Sequence, residues 1–251
     1  MRVGLFIPCY VDLLYPRVGL ATVELLERHG IDVEFPEAQT CCGQPMGNAG
    51  FTGEAARLAE RFVAVFGAYD HVVAPSGSCV AMVRRHYADL IEATPAFERL
   101  RTRTFELCEF LTDVVGARVA GRFPHRVAIQ PSCHGLRELR LGPGSERRDA
   151  APDKVRGLLS PLQGIEIVEP LRRDECCGFG GTFAVDEGPV AAMMGRDRLD
   201  DFARVGAEIV TATDVSCLAH LDGLIRRERR PLRVMHVAEV LAAAAAGSSP
   251  P

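Results

Sequence analysis

The chain has 251 residues, a formal net charge of −4, 47% hydrophobic residues and 25% charged residues, which is apolar material enough for one large or two modest globular domains. The only basic cluster, Arg226-Arg227-Glu228-Arg229-Arg230, reads as a helix end, so a nucleic-acid partner is excluded. No stretch reaches the ~18 consecutive apolar residues of a membrane span, and Met1 to Pro8 is too short for a signal h-region and lacks a cleavage site, so a cytoplasmic protein is expected.

Residues 2–8 read as a buried strand ending at Cys9. A helix is expected next, with Val18, Ala21, Leu25, Leu26 and His29 on one face and Gly30 past its end. Ile31 to Phe35 reads as a strand stopped by Pro36, followed by a Gly/Pro-rich loop holding Cys41-Cys42-Gly43-Gln44-Pro45-Met46-Gly47. Thr52 is expected to cap a helix with Ala55, Leu58, Ala59, Phe62 and Phe66 on its apolar face. His71 to Ala74 reads as a strand, and Ser78-Cys79 as the start of another helix. In the second half the expected strands are Val127–Gln130, Ile165–Val168 and Glu208–Ala212. The expected helices there are Val190–Val205 and one that starts at Ser216-Cys217 and carries Leu218, Leu221 and Ile225. Gly142-Pro143-Gly144-Ser145 and the charged run after it read as a surface loop, and Ala242 to Ala246 as a fraying helix before a disordered tail. Strands alternating with helices mean mainly parallel sheets covered on both faces, an α/β fold.

The halves repeat each other. A lone cysteine (Cys9, Cys133) precedes a Cys-Cys-Gly pair (Cys41-Cys42, Cys176-Cys177), and another follows it (Cys79, Cys217). The three offsets are 124, 135 and 138 residues, and the segment Arg103–Leu111 matches Arg233–Leu241 at an offset of 130. An internal duplication follows, with one domain over residues 1–120, a second over 121–251 and the boundary near Gly116 to Phe123.

Ligands of parallel α/β units gather at the carboxyl ends of the strands, where all eight of these cysteines are expected. A helix N-terminus at Cys79 and Cys217 favours thiolate over thiol. In a reducing compartment such cysteines read as soft-metal ligands rather than disulfides. Structural zinc takes pairs spaced C-x(2–4)-C, which adjacent cysteines fit poorly, whereas in a multi-iron cluster neighbouring sulfurs bind different irons. The reading is therefore two iron–sulfur clusters, one held by Cys9, Cys41, Cys42 and Cys79 and the other by Cys133, Cys176, Cys177 and Cys217. Zinc and free, redox-exchanging thiols stay open as alternatives. Gly43, Gly178, Gly180 and Gly181 are expected to let backbone N–H groups reach cluster sulfur.

These segments, together with Pro75-Ser76-Gly77-Ser78-Cys79, Ser132-Cys133-His134 and Asp174-Glu175-Cys176-Cys177-Gly178-Phe179-Gly180-Gly181, resemble the cysteine-rich CCG domain found in heterodisulfide reductase and in the iron–sulfur component of glycolate oxidase. Within that group the chain most resembles the lactate utilisation protein A family. The resemblance covers nearly the whole chain. It implies an iron–sulfur component of a cytoplasmic complex that oxidises L-lactate to pyruvate with two other proteins, one part of an oxidoreductase rather than an enzyme alone. The parent domain carries a fifth cysteine per set, and here those positions are Ser76 and Asp214. Four thiolates per half then imply a [4Fe-4S] cubane, and disulfide-cleaving chemistry does not carry over.

Other candidates have plainer readings. Cys108 lies in a helical pattern and its counterpart is Ala238, so it reads as a buried apolar side chain. His134 follows a ligand cysteine and is either a donor to sulfur, a proton relay or a packed polar contact. His236 matches Glu106, which argues against a shared catalytic role. Asp12, Glu109 and Glu239 read as capping or solvated groups. There is no nucleophile triad, dinucleotide fingerprint, flavin site or substrate-clamping arginine.

Overall fold

The computed structural model describes residues 1–147 and 152–246. They form two compact units, Met1–Gly116 and the remainder from Ala117. Each unit is built on a four-stranded, wholly parallel sheet.

In the first unit, β1 (Arg2–Leu5) is followed by helices α1 (Cys9–Leu14) and α2 (Pro16–Arg28), then β2 (Asp32–Glu34). Helices α3 (Gln44–Asn48) and α4 (Thr52–Phe66) lead to β3 (His71–Ala74). The chain continues through α5 (Gly77–Ala81), a π-helical turn at Met82–His86, α6 (Pro95–Thr102), β4 (Thr104–Glu106) and α7 (Leu107–Glu109). The strand order is β2-β1-β3-β4, with Val3 facing Val33 on one side and His71 on the other. Parallel strands buried on both faces carry unbroken apolar runs rather than alternation; Val72, Val73 and Ala74 are fully buried.

The second unit repeats the plan. Strand β5 (Arg126–Ile129) and a π-helical turn at His134–Glu138 precede α8 (Lys154–Leu159) and β6 (Glu166–Val168). Then come α9 (Phe183–Asp186), α10 (Gly188–Arg204), β7 (Ile209–Ala212), α11 (Val215–Glu228), β8 (Arg233–His236) and α12 (Val237–Ala246). The order β6-β5-β7-β8 reproduces the first unit, with Val127 between Ile167 and Ile209.

Several local expectations are corrected. The first strand stops at Leu5, although Phe6 N–H still donates to Val73 O at 2.9 Å, and Cys9 is the first residue of α1 rather than a strand end. Thr52 does not cap α4; it lies inside the first turn, and Phe51 holds the cap position without a side-chain bond. Strands β4 and β8, in the matched segments Arg103–Leu111 and Arg233–Leu241, are not among the expected strands. They are edge strands of three and four residues whose polar members, Thr104, Glu106 and His236, are buried, so they lack the apolar run that marks a strand. The alanine tract stays helical through Ala246, with Ala242 and Ala244 buried. The expected tail at 247–251 and part of the charged run after Gly144 lie outside the described residues. No helix among the described residues is long and apolar enough to cross a membrane.

Candidate metal centre

Each unit brings its four sequence-predicted cysteines to the carboxyl edge of its sheet. In the first unit, Cys9 opens α1 just after β1, Cys41 and Cys42 lie in the loop after β2, and Cys79 lies in the first turn of α5 after β3. The Cys9 thiol is 3.7 Å from Cys41 Sγ, and Cys42 interacts with both Cys41 and Cys79. In the second unit, Cys133 interacts with Cys176, Cys176 with Cys177, and Cys177 with Cys217. No disulfide joins any of the nine cysteines. Within each pair the first residue is half-buried and the second is buried, so adjacent thiols face different surroundings while sharing one cluster of sulfur.

The electrostatics are arranged around one sulfur per unit. Cys41 is held down to about 3, mainly by the hydrogen bond from Cys42, then by that from Cys9, with the Gly43 N–H adding to them against the effect of burial. Cys176 is held down to about 2 by Cys133, then Cys177, with the Gly178 N–H in support. The donors move the opposite way. Cys9 and Cys133 are pushed up first by their bond to that thiolate and then by burial. Cys42 and Cys177 are raised by bonds to two neighbouring sulfurs and by burial. Crowded, buried thiols resist ionising together, and a cation is what lets them do so; thiolate is the ligating form.

Two glycines shape the cradle. Gly43 and Gly178 sit at φ +83° and +92°, in the left-handed region that side chains avoid. That conformation turns their N–H groups onto Cys41 Sγ and Cys176 Sγ, each at 3.4 Å. A Cβ on Gly178 would lie 2.6 Å from Ala191 O, and one on Gly43 3.4 Å from Ala55 O, so the loops rest directly on α10 and α4. Gly180 and Gly181 also have positive φ, but among these four glycines it is Gly43 and Gly178 whose N–H groups reach sulfur. Soft donors in a set of four, an adjacent pair and backbone N–H groups on sulfur fit an iron–sulfur cluster in each unit.

The remaining candidates fall outside these centres. Ser76 is the cap of α5, its Oγ accepting from Cys79 N–H at 3.3 Å. Asp214 is buried at the start of α11. Glu106 Oε2 accepts from the N–H groups of Cys108 and Glu109 at 2.7 and 3.2 Å, and Cys108 is fully buried. His236 Nδ1 accepts from Ala238 N–H at 3.1 Å, and Glu239 Oε2 from His236 N–H at 2.8 Å. The matched residues Glu106 and His236 thus do one job, capping the helix after the fourth strand. Glu109 is not solvated; it is buried in an ion pair with Arg84 at 2.6 Å. His134 Nδ1 lies 2.6 Å from Glu138 Oε1, an i,i+4 pair.

Sequence reasoning missed two supports. Tyr87, buried, donates its hydroxyl to Cys42 O at 2.8 Å. Arg198, also fully buried, donates to Gln130 Oε1 at 2.5 Å and to the carbonyls of Arg172 and Arg173 at 2.5 and 3.0 Å, in the loop that leads to Cys176. The signal for Arg198 was its place on the apolar stripe of α10, at helical spacing from Ala191, Gly195 and Phe202.

Comparison with known proteins agrees with this architecture. The cysteine-rich domain model called CCG matches residues 3–84 and 127–222, once in each unit. Lactate utilization protein A of Geobacillus kaustophilus is 41% identical over 246 residues, covering 96% of this chain and 98% of that protein. The proteins of the same name from Geobacillus thermodenitrificans and Bacillus pumilus are 39% and 38% identical, over 96% of this chain and 98% and 99% of theirs. Among solved structures, a hypothetical protein from Helicobacter pylori superposes with a TM-score of 0.67 at 12% identity. That alignment covers 99% of this chain but 49% of that one, so the chain spans about half the length of this structural relative and the likeness is one of fold.

Proposed function

The chain belongs to the CCG cysteine-rich domain family and, within it, to the lactate utilization A proteins, and from that premise we propose that it is the iron–sulfur electron-transfer component of a cytoplasmic system that oxidises L-lactate, or a related 2-hydroxy acid, to pyruvate. The observation that carries the reading is the meeting of four thiols from three separate segments, twice in one chain. Cys9, Cys41, Cys42 and Cys79 would hold one [4Fe-4S] cluster and Cys133, Cys176, Cys177 and Cys217 the other, one in each of two domains divided near residue 120. A bound cluster supplies a one-electron carrier whose potential responds to charge and to hydrogen bonds at sulfur.

The chain's own residues prepare that site. The N–H groups of Gly43 and Gly178 add to the neighbouring thiol donors that hold one sulfur of each set in the ionised, ligating state. Ser76, through Cys79 N–H, and Tyr87, through Cys42 O, fix the backbone around the buried ligands of the first unit. Burial of Cys42, Cys79, Cys177 and Cys217 shields the inner face of each set from water. Heterodisulfide chemistry is the weaker reading, because Ser76 stands in place of a fifth thiol and serves as a helix cap. Two other proteins of the lactate system are the proposed partners.

The test is metal and sulfide analysis of the full chain after anaerobic purification or reconstitution. Iron and acid-labile sulfide are expected in comparable amounts, in two clusters, with the brown colour and EPR signals of iron–sulfur centres. Stoichiometric zinc without sulfide under those conditions would falsify the reading.

A further inference from the structure

The two units differ at one place beneath their cysteine pairs. Strand registers make Phe6 and Gln130 equivalent: Phe6 N–H donates to Val73 O and Gln130 N–H to Thr211 O. The cradles under Gly43 and Gly178 align Ala55 with Ala191 and Leu58 with Met194, 136 residues apart, so Phe62 is equivalent to Arg198 and Phe66 to Phe202. In the first unit Phe6 and Phe62 pack edge to face at 5.0 Å, and both pack on Phe66. In the second, the same two positions are Gln130 and Arg198, joined by a 2.5 Å hydrogen bond, with the guanidinium 4.3 Å above Phe202. Both positions differ together: an aromatic pair in one unit, a buried polar pair in the other.

The polar pair reaches the loop that presents Cys176 and Cys177. Arg198 binds the carbonyls of Arg172 and Arg173, and Gln130 Nε2 binds those of Pro131 and Glu175, each at 3.1 Å. Asp201, fully buried, balances the Arg198 charge at 3.3 Å and accepts from the N–H groups of Leu171 and Arg172. Side-chain bonds therefore run to every residue from Leu171 to Glu175 except Asp174, whose carboxylate accepts from Ser145 N–H. Buried polar networks that are fully bonded fix one backbone geometry, since any other leaves unpaired groups out of water. Among the described residues the first unit has no such charged clamp: its loop is docked by its own Gln39 on Leu5, Ile7 and Pro36, by the exposed Arg61 on Ala38 and by the Tyr87 hydroxyl on Cys42 O.

Resting on the reading of the cysteines as cluster ligands, we propose that Arg198 is the positioning residue of the second centre: its guanidinium, through Gln130, Asp201 and the loop carbonyls, holds Cys176 and Cys177 against Cys133 and Cys217, a task the first unit performs without a buried charge. The two centres are then separable by one substitution at a residue that is not itself a sulfur ligand.

The experiment compares the wild-type full chain with Arg198→Met and with the double variant Gln130→Phe/Arg198→Phe, which rebuilds the first unit's aromatic pair. Packing and positioning make opposite predictions for the double variant. If Arg198 positions the loop, iron and sulfide stay near half of wild type in both variants and the second centre's EPR signal is lost, although the double variant restores the aromatic packing. Recovery of full iron and both signals overturns the proposal and reduces Arg198 to a space filler. Thiol alkylation of the metal-free proteins, read residue by residue by mass spectrometry, decides the same point without a cluster. Cys176 and Cys177 should react about tenfold faster in both variants, the factor given by a loss of about 1.4 kcal/mol of local holding. Cys41 and Cys42 are the internal control and should be unchanged. Equal rates in wild type and variants also overturn the proposal. A wild-type chain that takes up no sulfide overturns the iron–sulfur reading instead, and the alkylation comparison then decides the positioning role alone.

Discussion

Cys79 and Cys108 are both buried cysteines of the first unit, so burial does not separate a ligand from a core side chain; their neighbours do. Cys79 is bonded to Cys42 within the quartet, whereas Cys108 lies at the foot of α7, where the Glu106 carboxylate caps its N–H. Their counterparts are Cys217 and Ala238. Cys79→Ala removes one of four thiolates and should leave the chain with about half of its iron and sulfide, carried by the second unit. Cys108→Ala deletes one small buried side chain, should cost about 1 kcal/mol of stability, and should keep iron at the wild-type level. Iron and sulfide contents of the two variants, purified side by side without oxygen, check this; loss of iron from Cys108→Ala with retention in Cys79→Ala would refute the ligand assignment.

Among the elements, the loops between β2 and α4 and between β6 and α10 carry the most constraint. Each must turn a cysteine pair onto its sheet edge while its glycine rests on the next helix. The second loop is the tighter: a Cβ on Gly178 meets Ala191 O at 2.6 Å and Met194 Cβ at 2.9 Å, against 3.4 Å for the contacts of Gly43 with Ala55 O and Leu58 Cβ. Both glycines have positive φ, so alanine at either is strained by roughly 1–2 kcal/mol, and Gly178→Ala adds overlap with helix backbone that cannot move aside. Gly178→Ala should therefore lower the melting temperature more than Gly43→Ala and lose the second centre's iron. A smaller effect at Gly178 than at Gly43, measured by calorimetry and iron content, would mean that the cradle is not what the glycine serves.

At the scale of the whole molecule, the chain is two copies of one sulfur-gathering unit, each on its own four-stranded parallel sheet. If the chain carries electrons for a lactate-oxidising system, the purified protein with both clusters loaded should not turn over lactate with an artificial acceptor, and activity should appear only with its partner proteins. Robust turnover by the chain alone, in a spectrophotometric acceptor assay, would show that the chemistry resides here after all.

The duplication, the α/β class with parallel sheets and the two cysteine quartets were legible in the amino-acid sequence, because they rest on periodicity and spacing: Cys-Cys-Gly twice, and apolar runs such as His71–Ala74 between helical stripes. Strands β4 and β8 were not, because a three- or four-residue edge strand with a buried Glu106 or His236 has no local apolar signature and exists only through its ladder to β3 or β7. Nor was the role of Arg198: its place on the apolar stripe of α10 marks it as facing inward, but only the fold puts Gln130, Asp201 and two carbonyls around it. Sequence alone determined which thiols belong together, since the repeat pairs them. Tertiary structure decided which of each adjacent pair is buried, which sulfur is held ionised and what holds the loop beneath, because those depend on hydrogen bonds between residues up to 68 positions apart.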